Sequence, residues 1–103
     1  MLFTRENFSK TIDLTALWNV YELPKNVTKL RITISGDAYT NLQVAIALRE
    51  IDQFDPYDVE GAFLLGLAHN FFIDNHVCKT ISFRRQFGVN GKIHIEGLKK
   101  RKY

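Results

Sequence analysis

Apolar side chains recur with a regular period in several stretches of the chain, and each period predicts an element. Residues 13–23 place Leu14, Leu17, Trp18 and Tyr21 at i, i+3, i+4 and i+7, the spacing of a single helical stripe. Asp13 is a good N-cap and Pro24 stops continuation. Residues 27–35 alternate instead, with Leu30, Ile32 and Ile34 on one face and Arg31 and Thr33 on the other, which predicts a half-buried strand. Residues 40–52 fit two templates. Thr40 and Gln43 make a capping box, and the composition favours a helix. Leu42, Val44, Ile46 and Leu48 also alternate as a strand would, in a hairpin with the preceding strand through Ser35-Gly36-Asp37. The helix is the preferred reading. Asp55-Pro56 opens a further helix to about residue 73. In it Val59, Phe63, Leu67 and Phe71 form one apolar row, and Leu64, Leu65, Ala68 and Phe72 cover another side.

Residues 77–98 predict a hairpin around Asn90-Gly91. A three-residue loop with a bulge at Gly91 puts Ile81, Phe83 and Phe87 on one face with Ile93 and Ile95. Arg84, Gln86, Lys92, His94 and Glu96 then fall on the other face. Arg85 is left on the apolar side, where it must snorkel or meet a carboxylate. The expected fold is therefore α+β: one small domain over residues 1–98, with a two- or three-stranded antiparallel sheet and about three helices packed mainly on one face. Residues 99–103 are expected to form a basic C-terminal tail. The order helix, strand, helix, helix, strand, strand over residues 13–98 resembles the winged-helix arrangement. That resemblance implies a recognition helix at 56–73 and a wing at Gly88–Gly91. The chemistry departs from it, because the helix start carries Asp55, Asp58 and Glu60, which phosphates repel, and the helix has no Arg or Lys.

Composition narrows the class. The chain has 103 residues, of which 46% are hydrophobic and 13% aromatic, enough for a core and too apolar for a solvating, disordered chain. The one cysteine, Cys78, excludes an intramolecular disulfide framework. The opening MLFTRENFSK lacks the pattern of a secretion signal. The run GAFLLGLAHNFFI falls well short of the ~20 residues that cross a bilayer. These features lead to an expectation of an intracellular, cytoplasmic protein with no membrane partner.

Charge changes the picture most. Residues 1–35 are net +2, residues 36–77 net −6 and residues 78–103 net +7, which together make the overall +3. Such segregation bears on partners rather than on fold. Arg84, Lys92 and His94 are expected on the outer face of the final hairpin, followed by Lys99, Lys100, Arg101, Lys102 and Tyr103. Cations spaced along a ribbon can each neutralise a phosphate, and a terminal tyrosine can stack on an unpaired base. The favoured expectation is a non-enzymatic protein binding DNA or RNA without reading sequence. The alternative is a protein-interaction module, an inhibitor, adaptor or assembly subunit that can also be homodimeric. It would use the acidic-aromatic corner of Asp52, Phe54, Asp55, Tyr57, Asp58 and Glu60 to dock a basic protein.

Catalytic and metal signals are weak. His69, Asp74, His76 and Cys78 lack a zinc-ligand spacing. Cys78 has no partner set that would make it a nucleophile. The six glycines form no phosphate loop. No enzyme activity, metal or cofactor is expected.

Overall fold

The structure is a computed structural model that describes residues 3–25, 27–36, 41–67, 69–74 and 79–102; of these, residues 3–6, 74 and 99–102 are described by backbone and register. It is all-β. The strands are β1 (Phe3–Asp13), β2 (Asn19–Glu22), β3 (Val27–Gly36), β4 (Gln43–Ala47), β5 (Phe63–Gly66), β6 (Asn70–Asp74), β7 (Thr80–Phe87) and β8 (Gly91–Lys102). They form two antiparallel four-stranded sheets, ordered β1-β8-β3-β6 and β2-β7-β4-β5. This is the eight-stranded jelly-roll order of two interlocked Greek keys. The chain changes sheet at every connection except β4 to β5, the one pair of consecutive strands that also share hydrogen bonds.

The sandwich core takes Leu30, Ile32, Ile34, Ile93 and Ile95 from the first sheet and Val44, Ile46, Leu65, Ile81 and Phe83 from the second. A smaller apolar cluster lies outside the second sheet. There Trp18, Ala45, Ala47 and Ile51 pack with Tyr57, Val59 and Ala62. The segment 48–62 thus covers the outer face of that sheet. Ser82 is fully buried beneath it. Its hydroxyl donates to the Arg49 carbonyl at 2.6 Å and accepts from the Ile51 amide at 3.1 Å, which satisfies the buried hydroxyl and ties the loop to the sheet.

The α+β expectation is overturned: no helix occurs among the described residues, and the winged-helix order falls with it. Each local misreading has a physical cause. In residues 13–23, Leu14 enters the sandwich core while Trp18 enters the outer cluster, so the two residues serve opposite faces of a sheet. The Asn19 side-chain Nδ2 donates to the Thr15 hydroxyl at 2.8 Å and to the Leu17 carbonyl at 3.1 Å, local bonds that favour a turn over a helix. In residues 40–52, Ala45 and Ala47 are as buried as Val44 and Ile46. In a strand covered on both faces apolar residues replace the polar half of the alternation, and Ala45 and Ala47 in those places suit a helix equally well. The helix expected at 56–73 is instead loop, β5, a turn closed by the His69 amide on the Gly66 carbonyl at 3.2 Å, and β6. Its all-round apolar surface belongs to two strands of different sheets.

The final hairpin is also corrected. β7 and β8 are strands, but they do not pair: β7 lies between β2 and β4, and β8 lies between β1 and β3. Asn90 (φ 51°) and Gly88 (φ 88°) take left-handed backbone at the connection, which carries the chain from one sheet to the other. Ile81 and Phe83 therefore meet Ile93 and Ile95 across the core rather than side by side. Phe87, expected with them, is half exposed.

Candidate nucleic-acid interface

The register of β8 assembles cations from three parts of the chain. Lys99 lies opposite Glu6 of β1 and Val27 of β3, Lys100 opposite Arg5, Arg101 opposite Thr4, and Lys102 opposite Phe3. Lys29 lies opposite Leu98 on one side and Asp74 on the other. The register shifts between Val27 and Lys29, a bulge of the kind that bends a strand and re-aims its residues. Thr28 at this bulge donates to the Leu98 carbonyl at 3.4 Å. Past Val27 the described pairing is that of β1 with β8 alone. Residues 99–102, expected as a tail, lie in β8, one of the two inner strands of the sheet, and among the described residues Lys100–Lys102 pair with β1.

The remaining members of the expected basic face lie elsewhere. Lys92 is seven residues back along β8, about 23 Å at the rise of a strand, and sits 3.9 Å from Asp13. His94 is held between two hydroxyls, with Thr11 Oγ1 3.0 Å from Nδ1 and Ser35 Oγ 2.7 Å from Nε2. Arg84 is on the other sheet. Its Nη1 donates to the Asp55 carbonyl at 2.9 Å, and its Nε is buried without a partner, as is Oε1 of Gln86. Arg84 fastens the 48–62 segment and is separated from the basic end. Arg85, half-buried, pairs with Val44, and its amide donates to the Thr15 carbonyl at 2.8 Å. Tyr103 lies outside the described residues.

The acidic-aromatic corner is a loop, not a helix start. Asp52, Asp58 and Glu60 are exposed, Asp55 is half-buried, and Tyr57 packs into the outer cluster. Phe54 stands 81% exposed. The loop is anchored by Trp18 Nε1 donating to the Pro56 carbonyl at 3.1 Å and by Arg49 donating to the Glu60 carbonyl at 2.7 Å. Charge consequently divides between the two sides of the sandwich. The first sheet carries Arg5, Lys10, Lys29, Arg31, Lys92, Lys99, Lys100, Arg101 and Lys102 against Glu6, Asp13, Asp74 and Glu96, net +5. The second sheet with residues 48–62 carries Arg49, Arg84 and Arg85 against Glu22, Glu50, Asp52, Asp55, Asp58 and Glu60, net −3.

A groove of about 570 Å³ lies on the first sheet beside the basic end. It is lined by Asn7, Phe8, Ser9, Lys29, Leu30, Arg31, Phe72, Glu96, Gly97 and Leu98. Arg31 Nη2 donates to both Glu96 oxygens at 3.2 Å, with both side chains about half exposed. Phe72, opposite Arg31 in the β3–β6 register, is 65% exposed. Sequence reasoning missed this groove because it placed Phe72 on a helix and left residues 1–12 without an element. The signal available was the outward position of Arg31 in the alternation of residues 27–35.

Of the four residues weighed as metal ligands, His76 and Cys78 lie outside the described residues. Among the described residues no group of three or more His, Cys, Asp or Glu side chains is placed to hold a metal ion, and no helix is long and apolar enough to cross a membrane.

No protein-family model matches the chain, and no curated protein matches it. Among solved structures, the chain is similar to one described as "Bacillus endospore appendages form a novel family of disulfide-linked pili". The TM-score is 0.40 and the identity 8%, over 92% of this chain and 87% of that chain. At that TM-score the likeness says nothing about function.

Proposed function

We propose that this jelly-roll domain is a non-enzymatic binding protein that holds nucleic-acid phosphates on the cation-rich end of its first sheet. The observation that supports the reading is the register joining Arg5 and Lys29 to Lys99–Lys102, while the exposed carboxylates of residues 50–60 gather on the opposite side of the sandwich. Phosphate binding of this kind gains its free energy from displaced counterions and needs no base contact. Sequence-independent binding follows.

The test is fluorescence anisotropy with labelled DNA and RNA over a salt series. Affinity is expected to fall linearly on a log–log plot, by about 0.7–0.9 per phosphate contacted. Replacing Lys99, Lys100, Arg101 and Lys102 with Gln should flatten that slope in a protein whose circular dichroism is unchanged. Binding that ignores salt, or a slope unaltered in the variant, overturns the reading.

A second reading rests on Phe54, the most exposed large apolar side chain described. In it a basic protein docks on Phe54 and the surrounding Asp52, Asp58 and Glu60. A partner captured by the wild-type protein after nuclease treatment, and lost with Phe54→Ala, is the expected result for this reading. Capture that nuclease abolishes counts against it.

A further inference from the structure

We infer that the groove beside Phe72 is a stacking site for an unpaired nucleobase, and hence that the ligand of the basic end is single-stranded. The inference rests on the phosphate-binding reading and adds the form of nucleic acid to it. A phenyl ring 65% exposed on a strand gains little from folding, and Phe72 lines a groove large enough for a base. The polar lining fits a base better than a phosphate. Asn7 and Ser9 are exposed, and Arg31 and Glu96, paired to each other, keep about half their side-chain surface open. Together these groups supply both donors and acceptors, as the edge of a base requires. A site built for phosphate alone would not place the Glu96 carboxylate in its wall.

The groove also leads to the cations. Lys29 belongs to its lining and lies opposite Leu98, the residue before Lys99. From Glu96 to Lys100 is about 13 Å along β8, so a strand with one base on Phe72 reaches the basic end within a few nucleotides. The register also sets two acidic residues along this path, Asp74 opposite Lys29 and Glu6 opposite Lys99. In a duplex the base faces are already stacked, whereas an unpaired base offers its face to an aromatic side chain.

The experiment compares a single strand and the duplex of the same sequence, as DNA and as RNA, against wild type, Phe72→Ala and Phe72→Trp. Phe72→Ala is expected to weaken single-strand binding about tenfold, to leave duplex affinity and the salt slope as they were, and to melt at the wild-type temperature. Phe72→Trp should retain single-strand binding and show quenched indole fluorescence on addition of the strand. Wild-type single-strand affinity in Phe72→Ala, or equal weakening for strand and duplex, overturns the stacking site and leaves the phosphate reading standing. Absence of salt-dependent binding to either form in the wild type overturns both.

Discussion

Phe83→Ala is expected to lower the free energy of unfolding by about 3–5 kcal/mol, the range for removing a large aromatic side chain from a packed core. Phe83 is fully buried and lies at the centre of the second sheet, opposite Asn19 of β2 and Ile46 of β4. Its ring shares the space between the sheets with Ile93 and Ile95. Ile46, Ile93 and Ile95 belong to strands hydrogen-bonded on both sides, so they cannot collapse far into the space left. Against a typical total of about 5–15 kcal/mol for a domain, such a loss leaves little reserve. Urea denaturation followed by circular dichroism measures it. Phe87→Ala is the control, since Phe87 is 49% exposed and its removal should change stability only slightly. Equal effects from the two substitutions would contradict the assignment of the core.

Trp18→Ala should cost a similar amount, about 3–5 kcal/mol, with a different distribution. Trp18 is 2% exposed and lies outside the sandwich, where it supports the 48–62 segment. Its ring nitrogen donates to the Pro56 carbonyl at 3.1 Å and its amide to the Gln53 carbonyl at 3.2 Å. Without the indole the segment should open before the sheets do. Proteolysis would then cut between residues 48 and 62, and the Ile51 and Asp55 amides would exchange faster than those of β7 and β8. Trp18→Phe keeps most of the packing and removes the ring N–H, for a smaller loss of about 1 kcal/mol. Uniform acceleration of exchange throughout the protein would show instead that the segment and the sandwich open as one unit.

How far the fold was legible depended on what covers each strand. β3 has one face in the core and one toward solvent, and its alternation over residues 27–35 was plain. β4 is buried on both faces because residues 48–62 lie over Ala45 and Ala47, and its alternation competed with helix-forming composition. Leu14, Leu17, Trp18 and Tyr21 have helical spacing by coincidence, since Leu14 and Trp18 serve cores on opposite sides of a sheet. Pairing was harder to read than strand content. β7 and β8 were legible as strands around Asn90-Gly91, yet nothing local specifies that they part into separate sheets. The same limit applied to the candidate interface. Lys99–Lys102 stood out as a run, while the addition of Arg5 and Lys29, and the separation of Arg84, depend on register between distant segments.

The place of β8 between β1 and β3 has a consequence for biosynthesis. A ribosome makes β1 and β3 well before β8, and both must wait with bare amide and carbonyl groups for their shared neighbour. The emerging chain therefore passes through a long interval in which its longest early strand is an open template for any other extended segment. Closure of the first sheet is then a late, long-range event, and slow folding is built into the connectivity.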